Sequence, residues 1–496
     1  MLEVGTVEFS FLRQRGIKRR QKLVNELVRS GYGVIDDPRI CKKGEIILNR
    51  GLNPDVPGDS NFFVFVKTSS FGRTKVFFTD PSREDGGKAL TKRQLMRRFS
   101  SSKVKDEWVS EVKDAVLKTA AAKDTNTRYA CAHGHWGENG GKDDGVSSRT
   151  HILREMMLWH YDIDATGYHN WINAQHFEDI ADMEDAAGIM KVPSLELTLP
   201  AKNLLALNGM HLNIDFKDLP TALDFWDRIL KGRTLDMPGM APRIDQGEVL
   251  MTMDELREAN SIAARAAHTY GIINVGIGQV GVGALNDPEK RERSISEVLD
   301  FIQRHIDLVG SGNFTFPDKL ASPQDPETQA FFEMIVRKHL GTQATLDQKN
   351  ISIAFSMHCK KENGFRKRQY ADPDLHVYEG VRTYMRVVSP LAWGRTVIHF
   401  SKEAMGLFHR GVAFRASDLV YLMRKQTHFA RDGADYGAKI SIDSYLELQN
   451  GIMKPVKARR SPLRKLILVA DNAYHGMVNV HLALKNLWNT IRNMKR

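Results

Sequence analysis

The chain has 496 residues, 42% of them hydrophobic and 26% charged, with a formal charge of +11 and a pI near 9.3. That is the composition of a globular protein long enough for roughly two to four domains, and no apolar run approaches the ~20 residues of a membrane-spanning helix. Cys41, Cys131 and Cys359 are too few for a disulfide framework; with no charged-then-apolar layout at the N-terminus they predict a cytoplasmic protein, and the positive balance favours anionic partners.

Residues 1–122 read as a basic α+β region. One run carries Arg13, Arg15, Lys18, Arg19, Arg20 and Lys22, and a second carries Lys92, Arg93, Arg97, Arg98, Lys103 and Lys105. Between them, the aromatic and β-branched segments Phe62–Lys67 and Lys75–Thr79 are spaced as two strands joined by a Ser/Gly turn. Cations beside strands could bind nucleic acid, but the aromatic-plus-Gly signature of the common RNA-binding sheets does not accompany them, so the runs read first as solvated faces and only second as a nucleic-acid surface.

From residue 123 onward strand-like and helix-like segments alternate, which predicts an α/β architecture with a largely parallel sheet. Tyr129 to Ala132 reads as a strand ending in His133 and His135, followed by a Gly-rich segment with Asp143, Asp144 and Gly145. Asp162–Tyr168 reads as a strand leading into His169 and Asn170. Ala174–Ala187 reads as a helix capped by Asn173 and closed by Gly188, with Phe177, Ile180, Ala181 and Ala187 facing inward. Ile189–Leu199 is the next strand, with Glu196 its only carboxylate. Along Met210–Phe216 the residues alternate, with His211, Asn213 and Asp215 on one face and apolar residues on the other. Helical patterns follow at Thr221–Leu230 and Met253–Tyr270, the latter stopped by Gly271. Ile272–Ile277 is strand-like, Ser294–Leu308 and Glu327–Leu340 are helical, and Asn350–Phe355 is a strand leading to Ser356 and His358.

Six polar residues thus stand at or near strand ends: His133, His135, His169, Glu196, His211 and His358. In parallel β/α barrels those ends form one rim, where ligands from distant parts of the chain gather. His133 and His135 share a face if they extend a strand, and paired imidazoles suit a borderline-soft divalent ion. Any one of these histidines has an ordinary explanation as a core or loop residue; their recurrence in one position points to a metal.

His133-Gly134-His135, Asp144-Gly145, Gly167-Tyr168-His169-Asn170 and the Gly188-to-Glu196 strand, followed by His211 and His358, form an ordered set over residues 128–360. It resembles the polymerase-and-histidinol-phosphatase superfamily, whose pattern is H-x-H, S-D-G, T-D-H-N, a G-I-x-V-I-P-G-V-E strand, a further His and a late D-x-H. The resemblance implies a distorted (β/α)7 TIM-like barrel over residues 123–375, with flanking N- and C-terminal regions, that hydrolyses a phosphate ester with metal-activated water. By position it implies His133, His135, Asp144, His169, Glu196, His211 and His358 as metal ligands, with His133, His135, Glu196 and His358 forming the catalytic set. The ions would be Zn, Mn or Fe. Arg149 and Arg366 are the candidates for binding the phosphate of a small-molecule substrate; Arg154, Lys360 and Lys361 also lie near the motifs.

The chain departs from the pattern at three places. Tyr168 and Ser356 stand where the family has Asp, and Val275–Gln279 replaces its A-H-P motif. One or two ions are therefore expected rather than three. His268, just upstream, falls on a helical pattern and reads as structural. The departures keep two alternatives open: a degenerate barrel that binds a phosphorylated ligand or partner without turnover, and a nucleic-acid-associated protein using the basic N-terminal region. Cys131 and Cys359 flank ligand positions and read as small buried core residues.

Residues 376–496 read as a C-terminal α/β region. A basic linker at 456–465 precedes a strand at Leu466–Ala470 and a helix at His475–Arg492. This strand-turn-helix resembles the first unit of a nucleotide-sugar glycosyltransferase without its Gly-rich fingerprint.

Overall fold

In the computed structural model the two expected N-terminal strands pair within a four-stranded antiparallel sheet. The described residues are 2–53, 55, 59–69, 73–78, 107–123, 125–131, 134–135, 149–198, 210–235, 243–244, 267–273, 308–310, 326–345, 354, 368–370, 396–400 and 438–441. All lie in one unit, Met1–Tyr378 with Ser389–Ile452; a second unit, Glu379–Val388 with Met453–Arg496, lies outside them.

The chain starts with a long helix, α1 (Leu2–Arg29), then β1 (Gly33–Ile35), β2 (Glu45–Asn49), β3 (Phe63–Thr68) and β4 (Thr74–Phe77), joined in that order with Phe65 opposite Phe77. The Phe-Val-Phe-Val run of β3 is apolar on both faces because both are covered. Val64 and Val66 pack under Leu23, Val24 and Leu27 of α1 and Val109, Val112 and Val116 of the next helix, α2 (Glu107–Ala121). Phe63 and Phe65 pack on the opposite side, against Ile152, Met156 and Met157 of α3 (Arg149–Leu158) and Ile180 and Met183 of α4 (Ala174–Ala187). Burying a side chain of that size is worth about 1.5–3 kcal/mol. The N-terminal sheet thus shares one core with α3 and α4.

A buried polar junction fixes that join. Asp162 accepts the backbone N–H of Asn61 at 2.6 Å and of Tyr129 at 2.9 Å, and pairs with Lys123 Nζ at 3.0 Å. The Asn61 amide donates to the carbonyls of Tyr161 and Gly188, and Asn49 donates to Asn61 Oδ1 and to the carbonyl of Ala187. His160, at φ 56°, accepts the N–H of Phe63 at 2.9 Å.

Beyond this junction the remaining elements form two larger sheets. β5 (Thr127–Cys131), β6 (Ile163–Asp164) and β8 (Met190–Lys191) belong to one, in the order β17-β16-β5-β6-β8, where β16 is Thr396–Phe400 and β17 is Ala438–Ser441. The other runs β15-β14-β13-β10-β9-β7, with β7 Tyr168–His169, β9 Ser194–Thr198, β10 Met210–Phe216, β13 Ala267–Ile273, β14 Leu308–Gly310 and β15 Arg368–Tyr370. β11 (Thr234–Leu235) and β12 (Arg243–Ile244) form a separate ribbon. The remaining helices are α5 (Leu219–Phe225), extended by a π turn to Leu230, and α6 (Pro326–Leu340). Among the described residues no helix is long and apolar enough to cross a membrane.

Several elements agree with the sequence reading. Asn173 accepts the N–H of His176, and Gly188 closes α4 at φ 79°. The inner face of α4 is shifted, however: Met183 and Glu184 are buried, whereas Phe177 and Ala181 are only half-buried. Two expected strands are broken. Residues 162–168 split into β6 and β7, and 189–199 into β8 and β9, each pair divided between the two sheets. Among the described strands the two larger sheets are mixed: β13–β14, β14–β15, β5–β6, β6–β8 and β7–β9 pair in parallel, whereas β10 runs antiparallel to β9 and β13, and β16 to β5 and β17. Parallel neighbours need a crossover of a dozen or more residues, and β9 returns into β10 across residues 199–209 alone. The expected helix ending at Tyr270 is a strand from Ala267, and Gly271 lies inside it, because seven backbone pairings with β10 satisfy this segment. Ala354, the described residue of the expected strand 350–355, is helical. The segments 90–105, 294–307 and 456–492 lie outside the described residues.

Within β6 a second buried cluster forms. Asp164 accepts from Thr166 N at 2.9 Å, Thr166 Oγ1 at 2.8 Å and Lys191 Nζ at 2.7 Å. Burial pushes its carboxyl up, but the Lys191 charge and the hydrogen bonds from Glu184, Lys191 and Thr166 outweigh that and hold it below the usual range. Glu184 goes the other way: burial, then the Asp164 charge, raise it well above the ordinary value against the pull of Lys191. Of this pair Glu184 is therefore the member that keeps its proton to higher pH, and Asp164 the one that stays ionised to lower pH. A folded-state pKa raised above the unfolded value gives stability that is complete below the unfolded pKa and is lost as pH rises toward the folded one. In urea unfolding from pH 5 to pH 9, wild-type stability should fall with pH relative to Glu184→Gln, which keeps the donor and removes the titration; parallel profiles would refute the assignment.

Candidate metal centre

The site is built where the chain passes from one large sheet to the other. β5 ends at Cys131, and Gly134 continues beside the crossing: Ala165 N donates to the Cys131 carbonyl at 2.8 Å, and Gly167 N to the Gly134 carbonyl at 3.1 Å. His135 comes next and is fully buried. Gly167 is required here by contact, since a Cβ on it would run into the Ser194 carbonyl oxygen and come within 2.8 Å of the Ser194 carbonyl carbon. This close approach lets β7 pair with β9 in parallel, with His169 opposite Glu196. Asn170, in the left-handed region at φ 48°, donates its N–H to the Glu196 carbonyl at 2.7 Å.

Three side chains converge as a result. His135 Nε2 and His169 Nε2 each lie 2.9 Å from Glu196 Oε2. The two imidazole rings stack with centroids 4.0 Å apart and planes at 18°. One ligand atom from each of the three lies within 4.8 Å of the others, and all three residues are buried. Two atoms each about 2.1 Å from one ion sit about 3–4 Å apart, so the donor set fits a single divalent cation after small side-chain adjustments. His135, His169 and Glu196 therefore form a buried cluster able to hold a metal ion.

His133, Asp144, His358 and Arg366 lie outside the described residues, as do Lys360, Lys361, Ser356 and Val275–Gln279. His211 is on β10, its backbone opposite Thr198, two positions from the Asn213–Glu196 pair. Arg149 opens α3 and sits at the interface with α4: its Nη1 is 3.8 Å from Asp179, and it lines a small cavity with Glu184, Ile152, Leu153, Ile180 and Met183. Arg154 is committed elsewhere, to the Glu45 carboxylate at 2.8 and 3.0 Å and the Ile40 carbonyl, so its role is structural. Tyr168, where the family pattern has Asp, is a buried aromatic packed edge-on against Trp171, its hydroxyl 3.5 Å from His176 Nδ1. Cys131 is fully buried in the apolar core, as expected of a packing residue.

Two neighbours of the cluster belong to no sequence motif. Asn213, directly opposite Glu196, and Asp215, opposite Ser194, are both almost completely buried. The alternation of β10 carried the signal: its second face is polar, and a polar face that ends up buried must be satisfied by neighbours or serve a site. The register of β13 also brings His268 opposite Asp215 on this sheet, rather than onto a helix as expected.

No family model and no curated protein matches the chain.

Assembly of the cluster depends on the close approach at Gly167. Gly167→Ala should separate β7 from β9 and lower the affinity for Zn, measured by competition with a chromogenic chelator, by about tenfold or more. Unchanged affinity would show that the His169–Glu196 pairing does not depend on this contact.

Proposed function

We propose that the protein is a metal-dependent phosphoesterase of the polymerase-and-histidinol-phosphatase type, built on a distorted (β/α)7-like barrel and acting on a phosphorylated small molecule in the cytoplasm. The observation that carries this reading is the convergence of His135, His169 and Glu196 from three separate segments, in the order and at the positions that the family resemblance assigns to ligands. The positive charge of the chain suits a phosphorylated substrate.

A divalent ion held by this cluster would supply Lewis acidity toward a phosphoester oxygen and a water with its pKa lowered toward neutrality. The residues supply placement. Glu196, 1% exposed, brings one carboxylate oxygen within reach of both imidazoles, and stacking of His135 on His169 limits the rotation of each ring. His135 is 0% and His169 8% exposed, so among these three the approach for a substrate lies past His169.

A second reading, a barrel that binds a phosphorylated ligand or partner without turnover, is favoured by one feature. Tyr168 puts a buried aromatic ring where the family pattern places a carboxylate, so that position offers no ligand charge.

An aryl-phosphate hydrolysis assay in added Mn or Zn separates the two. The phosphoesterase reading expects turnover in the wild type and a drop in kcat/KM of about a hundredfold or more in Glu196→Gln, equivalent to ~2.7 kcal/mol. Equal turnover in both proteins would contradict it. Tight metal binding without turnover would favour the binding reading.

A further inference from the structure

We propose that the outer face of α1 is a docking surface for the phosphodiester backbone of nucleic acid, independent of the metal centre. From Phe9 through Asn25 the sequence contains no acidic residue and six cations. The structure sorts those cations. Arg20 turns inward and donates to the Gly44 carbonyl at 2.6 Å, and nearby Thr74 donates to the Gly16 carbonyl at 3.0 Å. Arg15, Lys18, Arg19 and Lys22 stay exposed. Their spacing of three, four and seven residues puts all four on one face of the helix.

Like charges at these spacings disfavour the helix that carries them. Among the described residues no carboxylate forms an ion pair with Arg15, Lys18 or Arg19, whereas cations on other helices do: Arg228 pairs with Asp224, Lys231 with Asp227 and Arg337 with Glu333. The nearest acid along α1, Glu26, is engaged by Arg29 and Lys113. Lys42 and Lys43 are also exposed, in the turn that Arg20 ties to α1 through Gly44.

The helix also identifies the class of partner. A membrane-surface helix must have its apolar face available for lipid. Beside these cations the apolar side chains Leu23, Val24 and Leu27 are already buried against the first sheet and α2, and the exposed surface next to them is charged. Four cations over about 10 Å of helix axis give one charge per roughly 3 Å, comparable to the one per ~3.4 Å along each strand of duplex DNA. Such a surface binds by releasing counterions and reads no sequence.

The test is fluorescence anisotropy of a labelled duplex oligonucleotide titrated with the full-length protein over a range of salt. Arg15→Gln, Lys18→Gln and Arg19→Gln are combined in one variant. The control combines Arg228→Gln, Lys231→Gln and Arg337→Gln, which removes the same charge elsewhere. The wild type should bind with an affinity that falls steeply with salt. The α1 variant should lose about tenfold in affinity at low salt, and its logarithmic salt slope should shrink by about two to three. The control should stay close to wild type, and the melting temperatures of all three should agree, since the substituted residues are exposed. Equal weakening by both variants, no binding by the wild type, or binding to phosphatidylserine vesicles in place of the oligonucleotide would overturn the proposal.

Discussion

The fold depends on the junction around Asp162, Asn61 and Lys123. These residues are buried, so each polar group there must be met inside the protein. Asp162 receives two backbone N–H groups and the Lys123 ammonium, and Asn61 meets the carbonyls of Tyr161 and Gly188. Asp162 directly precedes β6, and Gly188 directly precedes Ile189 and β8. One side chain at the edge of β3 therefore locates the starting points of both crossing segments. Removing one partner from a buried ion pair commonly costs about 3–5 kcal/mol, comparable to losing two of the buried phenylalanines of β3 at the lower end of their range. The N-terminal sheet is in this sense part of the framework that positions the site.

From those fixed points each segment runs a few residues in one sheet, crosses, and enters the other. Their far ends carry His169 and Glu196, brought side by side because Gly167 admits the Ser194 backbone. The same packing that makes the pairing possible makes it electrostatically demanding. A buried carboxylate without compensating donors is strongly disfavoured, and the two imidazole nitrogens at 2.9 Å satisfy that demand directly. A divalent ion meets the same demand with greater charge, which is the physical reason such a cluster suits a metal site.

Local chemistry made part of this legible in the sequence. The Phe-Val-Phe-Val run and the Asn173 and Gly188 caps announce β3 and α4, because each signal acts within a few residues. That His135, His169 and Glu196 are candidate ligands was readable from residue type and position at the ends of apolar runs, and the structure brings the three together. The breaks at 165–167 and 192–193 were not. They arise where Gly167 meets Ser194 and where Phe216 N donates to the Pro193 carbonyl, contacts between segments far apart in the chain. The strand at Ala267–Ile273 was misread for a related reason: its local pattern is helical, and its partner β10 lies more than fifty residues earlier. The burial of Asn213 and Asp215 likewise depends on what covers β10, which alternation alone does not specify.

The most direct test of the central claim is the metal content of the purified protein after incubation with Zn, Mn or Fe and removal of unbound ion, compared with a His135→Ala/His169→Ala variant by elemental mass spectrometry. The account predicts at least one tightly held ion per chain in the wild type and its loss in a variant that still folds. An ion-free wild type, or a variant that retains the wild-type complement, would contradict the claim that His135, His169 and Glu196 form a metal centre.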